Sequence, residues 1–410
     1  MRTPTSRRLL LDLYAAALQA VDGRAVVRER LAHYSVTGPV YAVAIGKAAS
    51  AMMQGAVDAL GDALAGALVI TRHGYADAGA AARHVRVLEA DHPIPGAASV
   101  AAGQALLDFI AALPPQAPLL FLISGGTSAL VEVLPPGVDI AQLQAANDWL
   151  LASGWDITRV NRVRRALSCI KGGRLARYLA GHAVLQLLIS DVPGDAPAAI
   201  GSGLLVPPAD DMPADPDRQA VPPWLQRLLA AAPPPAPTAF AAVQSEILCS
   251  NRTAREAAAA TGRARGLPVF QTDEVLCGDA AATGRALAGQ LLSGAPGLYV
   301  WGGETTVRLP PQPGRGGRCQ TLALAAAQVL AGSDILLLAA GTDGSDGPGE
   351  EAGALVDGDS IARGELECFD AGECLARADS GTFLEASGDL IQTGPTGSNV
   401  MDLVLALKPA

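Results

Sequence analysis

The chain repeats one pattern along its length: a short continuous apolar run, a Gly-rich or polar loop, then an Ala/Leu-rich stretch with helical spacing. The runs are YAVAI (41–45), GALVIT (66–71), VRVLEA (85–90), PLLFLIS (118–124), AVLQLLIS (183–190), EILCS (246–250), GLYVW (297–301) and DILLLAA (334–340). Unbroken apolar strands that alternate with helices predict an α/β fold with parallel sheets covered on both faces. Near the start, Leu9, Leu10, Leu13, Tyr14, Ala17 and Leu18 fall on one helical face. Asp12 and Gln19 interrupt the run, so it reads as a docked amphipathic helix rather than a signal peptide.

One stretch breaks the pattern. Residues 207–237 hold ten of the 29 prolines and an acidic patch near Asp210–Asp217, around a short helical piece, WLQRLLAAA (224–232). It reads as the connection between two domains, 1–237 and 238–410. A length of 410 residues is ample for two cores.

Charge and composition narrow the function. A formal net charge of −10 argues against nucleic-acid binding, which needs a basic surface. No apolar run approaches the roughly 20 residues of a membrane span. The six cysteines form no CxxC pair, which fits reduced thiols in a cytoplasmic protein. The five histidines lack zinc-ligand spacing. Only three lysines occur, Lys47, Lys171 and Lys408, and two of them adjoin glycines. In so lysine-poor a chain, that placement points to a compact ammonium that arginine cannot replace.

Ligands of open α/β sheets bind beyond the carboxyl ends of the strands, so the loops there carry the candidates. After YAVAI comes Gly46-Lys47, just before a helix, where free N–H groups favour anions. Tyr41 stands where a Walker A loop requires glycine, so Lys47 is not a Walker A lysine. Ser124-Gly125-Gly126-Thr127-Ser128 offers a close backbone and hydroxyl donors, as a phosphate cradle does. Asp191 and Asp195 at another strand end could hold Mg²⁺, and either could accept a proton from a hydroxyl. A basic segment begins at Asn161. Within it Arg164, Ser168 and Lys171 fall on one helical face, with Lys171-Gly172-Gly173 as the break, and could bind a carboxylate or phosphate. Two loop histidines, in His73-Gly74-Tyr75 and Asp91-His92-Pro93, hint at substrate contact. The second half adds Gly303-Glu304-Thr305, Gly317-Arg318-Cys319-Gln320 and Gly341-Thr342-Asp343-Gly344. Arginine and acidic Gly-rich loops are parts that phosphoryl transfer uses.

The order AIGKAA, HGY, DHPIPG, SGGTSAL, NRVRRALSCIKGGRLA, LLISDVPGD, GGETTV, GRGGRCQ, GTDGSDG and TGPTGSNVMDL resembles that of the class II glycerate kinases, across nearly the whole chain. The resemblance implies a Rossmann-like N-terminal domain, a smaller C-terminal MOFRL domain and an active site in the cleft between them. It implies transfer of the ATP γ-phosphoryl group to D-glycerate, giving 2-phosphoglycerate, with ATP and Mg²⁺. Lys47 matches the family's catalytic lysine and Arg318 its partner arginine. The SGGTSAL and SDVPGD loops, the latter with Asp191 and Asp195, would meet nucleotide phosphates and metal. The family commonly reads GRNQE where this chain has Gly317-Arg318-Cys319-Gln320-Thr321, and Thr127 replaces a frequent glycine.

Two other readings stand beside it. A hydroxypyruvate reductase should show GxGxxG between strand and helix, and none occurs. A non-catalytic sensor of a sugar acid or nucleotide would fit the altered residues after Arg318. A homodimer is compatible with the sequence.

Overall fold

The computed structural model describes residues 3–34, 38–76, 84–155, 157–179, 181–206, 221–231 and 243–410. The chain divides into two compact units, one of Gly23–Leu248 and one of Met1–Asp22 with Cys249–Ala410. The expected boundary at 237/238 lies outside the described residues, as does most of the Pro-rich stretch.

In the first unit, β1 (Val40–Ile45), β2 (Leu64–Arg72), β3 (Val85–Ala90), β4 (Leu119–Ile123), β5 (Val184–Ile189) and β6 (Val243–Cys249) form one sheet. Its order is β3-β2-β1-β4-β5-β6. The β3–β2, β2–β1, β1–β4 and β4–β5 pairs are all parallel, as the apolar runs predict. Val43, Ile45, Leu68, Phe121, Ile123 and Leu188 bury the sheet against its helices. The strand order reverses between β1 and β4, which is where such sheets open to ligands.

From the N-terminus to residue 166 the helices include α1 (Thr3–Ala20), α2 (Gly23–Leu31), α3 (Ala49–Leu60), α4 (Ala97–Ala111), α5 (Thr127–Leu130), α6 (Ile140–Ala152) and α7 (Ile157–Ala166). The helix expected inside the Pro-rich stretch is present at Pro223–Ala231, but it is not a bare connector. Its Leu225, Leu228 and Leu229 pack with Leu143 and Leu150 of α6 and Val163 of α7. Burying those leucines ties it to the first unit.

The second sheet contains β7 (Val269–Leu276), β8 (Gly297–Gly303), β9 (Leu336–Gly341), β10 (Gly353–Val356), β11 (Leu390–Ile391) and β12 (Asp402–Lys408). Here the expectation of a parallel sheet is corrected. The order is β11-β10-β9-β12-β8-β7, and only β7–β8 is parallel among the paired strands. The last strand, β12, enters antiparallel between β8 and β9. The N-terminal helix docks on this unit, as its apolar face predicts: Leu10, Leu13, Tyr14 and Ala17 are buried. Tyr14 Oη donates to Gly341 O at 2.7 Å. No helix among the described residues is long and apolar enough to cross a membrane.

Candidate active site

The first unit builds its site where the loops after β1 and β4 interlock. Ser124 N donates to Ile45 O at 3.0 Å, and Lys47 N donates to Gly125 O at 2.9 Å. Ala48 N donates to Ser124 Oγ at 3.1 Å. Gly46 has φ +131°, and a Cβ there would lie 2.1 Å from Ser124 Oγ, so only glycine fits this crossing. Thr127 Oγ1 lies 2.8 Å from Ile45 O and 2.7 Å from Ser124 O. Its hydroxyl thus ties α5 to both strand ends, a role for threonine where a glycine is frequent. Ser124 and Thr127 are fully buried and use their hydroxyls internally. Of the three hydroxyls in the expected cradle, Ser128 alone lines the adjoining cavity.

That cavity, about 230 Å³, lies wholly within the first unit. The β-strand loops supply His92, Gly126 and Ser128, and α6 and α7 supply Leu143, Asn147, Asp148 and Arg164. Gly126 (φ +85°) lets two candidate side chains approach: a Cβ there would sit 3.2 Å from His92 Nε2 and 3.3 Å from Lys47 Cγ. His92 therefore lines the cavity. His73 instead stands 3.7 Å from Glu89 and 3.7 Å from Asp91, in an exposed position.

Arg164, Ser168 and Lys171 do not share one helical face, because α7 ends at Ala166. Beyond it, Ser168 Oγ accepts from the N–H groups of Ile170 and Lys171, each at 3.3 Å. This local turn competes with the helix and stops it. Gly172 (φ +61°) and Gly173 (φ +81°) then turn the chain. Their N–H groups donate to Ser202 O at 3.0 Å and Gly203 O at 2.6 Å. The turn still returns Lys171 to the cavity beside Arg164. Arg164 Nε donates to Asn147 Oδ1 at 2.8 Å. Burial lowers the Arg164 pKa from its usual value. Asn161 lies on the same α7, partly exposed.

Sequence reasoning missed Glu132, which organises this wall. Lys171 Nζ donates to Glu132 Oε2 at 2.5 Å, and Ser168 Oγ donates to Glu132 Oε1 at 2.5 Å. Val133 N donates to the same Oε1 at 3.0 Å. Glu132 is 1% exposed and Lys171 3%, so the pair is desolvated and needs all these partners. The available signal was a single carboxylate inside the apolar run ALVEVL.

Asp191 lies two residues beyond the end of β5, and Asp195 (φ +51°) ends the short turn Pro193–Asp195. Among the described residues, no cluster of three or more His, Cys, Asp or Glu side chains is placed to hold a metal.

In the second unit, Arg318 opens the helix Arg318–Leu330 and is held by two carboxylates. Its Nε and Nη2 meet Asp402 at 2.6 and 2.9 Å, and its Nη1 meets Glu304 at 2.6 Å. Burial alone would lower the Arg318 pKa, but Asp402 and Glu304 raise it well above the usual value. Asp346 receives Cys319 N at 3.0 Å and Gln320 N at 2.8 Å. Burial, seconded by Asp402, still pushes its carboxyl up to about 7. The Cys319 thiol is buried, which raises its pKa and leaves it inert. Thr321 meets Ser380 Oγ at 3.2 Å, and Asp343 Oδ1 receives Ser345 N at 2.9 Å.

Residues 9–216 match a domain family described as of unknown function, DUF4147, and residues 297–402 match the MOFRL family. A glycerate 2-kinase of Pyrococcus horikoshii is 31% identical, over 97% of this chain and 93% of its own. The chain belongs to the glycerate 2-kinase family. A D-glycerate 2-kinase of Thermotoga maritima is also 31% identical, over 98% of both chains. A crystal structure of a Thermotoga maritima glycerate kinase superposes with a TM-score of 0.85 at 29% identity, over 99% of this chain and 100% of that one. A protein of Agrobacterium vitis bearing a provisional hydroxypyruvate reductase name is 37% identical, over 89% of this chain and 98% of its own. Cys319 and Thr321, which follow Arg318, are both buried side chains.

Proposed function

We infer that the chain is an ATP-dependent glycerate kinase, phosphorylating D-glycerate at the 2-hydroxyl to give 2-phosphoglycerate and ADP. The observation that carries this reading is that Lys47 packs on Gly126, and Gly126 lines the same cavity as Arg164 and Lys171. A cavity of about 230 Å³ suits a three-carbon acid rather than a whole nucleotide. Arg164 and Lys171 bind its carboxylate by charge-assisted hydrogen bonds. Ser128 and His92 face its hydroxyl groups.

Phosphoryl transfer is mostly positioning and charge neutralisation. Lys47 supplies a point charge for the transferring group, and Arg318, held by Asp402 and Glu304, is the cation that the second unit offers for phosphoryl transfer. The Gly125-Gly126 backbone and the Asp191–Asp195 loop serve the nucleotide phosphates; Asn161 on α7 and Gly172 in the turn after it support binding in the first unit, as Glu304 and Asp343 do in the second. Asp191 and Asp195 form an oxygen-only donor set, which fits Mg²⁺, since that ion takes one or two carboxylates together with phosphates and waters. When bound, the ion would screen the phosphate charge.

The assay is incubation with D-glycerate, ATP and Mg²⁺, followed by analysis for 2- and 3-phosphoglycerate. Glycerate-dependent ADP and 2-phosphoglycerate are the expected products. NADH oxidation by hydroxypyruvate without ADP formation would transfer the chain to reductase chemistry.

A further inference from the structure

We propose that Glu132 sets the charge of the acceptor cavity, so that it takes a singly charged hydroxy acid and rejects doubly charged ones. The proposal rests on the kinase reading's placement of the acid beside Arg164 and Lys171. Four charged side chains line the cavity besides His92: the cations Arg164 and Lys171 and the carboxylates Glu132 and Asp148. Two cations would draw in a dianion, but Glu132 holds the Lys171 ammonium at 2.5 Å. With Glu132 1% exposed, water screens that charge poorly, and it acts on the cavity at short range. Asp148, on α6, adds a second negative charge from a more exposed position. The lining is therefore balanced, with donors in place and no surplus positive charge.

This has a chemical purpose in phosphoryl transfer. The acceptor carries one negative charge, whereas the phosphorylated product gains roughly 1.5–2 more at neutral pH. A balanced cavity receives the first and repels the second. Donors supply affinity, and the like charge of Glu132 supplies discrimination against the wrong ion.

Hydroxymalonate is the probe, because it replaces the terminal CH₂OH of glycerate with a second carboxylate at nearly equal size. Binding of D-glycerate and hydroxymalonate is measured by calorimetry on the full chain, for the unmodified protein, Glu132→Gln and Asp148→Asn. The unmodified protein should prefer glycerate by about tenfold, and each variant should shift the ratio toward hydroxymalonate by about three- to tenfold. Asp148 is exposed, so its variant keeps the test open if Glu132→Gln does not fold. A ratio within about twofold of the unmodified protein in the folded variants, or no binding of either acid, overturns the proposal. ADP formation by the unmodified protein judges the kinase reading separately. ADP with unshifted ratios sinks only the charge proposal, and shifted ratios without ADP sink only the kinase reading.

Discussion

Asp402 grips Arg318 side-on, with its two carboxylate oxygens 2.6 and 2.9 Å from Nε and Nη2. Such a two-point contact fixes the plane of a guanidinium as well as its position. Asp402→Asn should therefore lower kcat by about 10²-fold, the scale of losing one charge-stabilising donor. Glycerate binding to the isolated cavity residues should stay near normal, and Arg318→Lys should not restore turnover, since lysine lacks the fork. Steady-state kinetics beside glycerate calorimetry checks this, and unchanged kcat in Asp402→Asn would remove Arg318 from the reaction.

Lys47→Ala should cost roughly 10²–10³ in turnover while leaving glycerate affinity within about threefold. The split follows from Lys47 lying against Gly126 rather than among the residues that line the cavity. Equal losses in kcat and glycerate affinity would place Lys47 in ground-state binding instead.

Gly126→Ala tests the close approach of His92 and Lys47. The added methyl meets both side chains at 3.2–3.3 Å and forces an alanine to φ +85°. A backbone cost of about 1–2 kcal/mol is expected, with a larger proportional loss of activity because both side chains must shift. Comparing unfolding midpoints with kcat separates the two; activity falling only in step with stability would deny His92 and Lys47 a shared site.

Asp346 predicts a pH dependence of stability. Its folded pKa is about 7 against an ordinary 3.8, so the native state holds a proton that the unfolded chain releases. Its contribution is full below about pH 4, fades as pH rises, and is gone above about pH 7. Urea midpoints across that range should fall for the unmodified protein relative to Asp346→Asn, which has no such proton to lose. Parallel profiles would show that the two N–H bonds keep Asp346 ionised throughout.

Much of this was legible in the sequence, and the exceptions have physical causes. The strands of the first unit read clearly because parallel strands buried on both faces are unbroken apolar runs. β12 escaped notice because VLALK is rich in Leu and Ala, which favour helix, and only its neighbours β8 and β9 make it a strand. β7 is a sheet edge with Gln271, Thr272, Asp273 and Glu274 inside it, so it lacks an apolar run. Lys47 was visible by residue type and loop position, and Arg164 and Lys171 as basic residues of one segment. Glu132 and Asp402 were not, since their importance lies in the cations they hold, which are 39 and 84 residues away.

The second unit joins Met1–Asp22 to Cys249–Ala410 around an intervening segment. During synthesis α1 precedes the whole of the first unit, and its main partner, the helix Asn251–Ala264, and β12 in the middle of the sheet follow only after that unit. The contiguous unit has no such delay and can fold while the rest is being made. A gene fragment starting at Cys249 would therefore express an incomplete body, missing the helix whose Tyr14 closes on Gly341. Fusing residues 1–22 to that fragment through a short linker is the minimal way to make the unit alone.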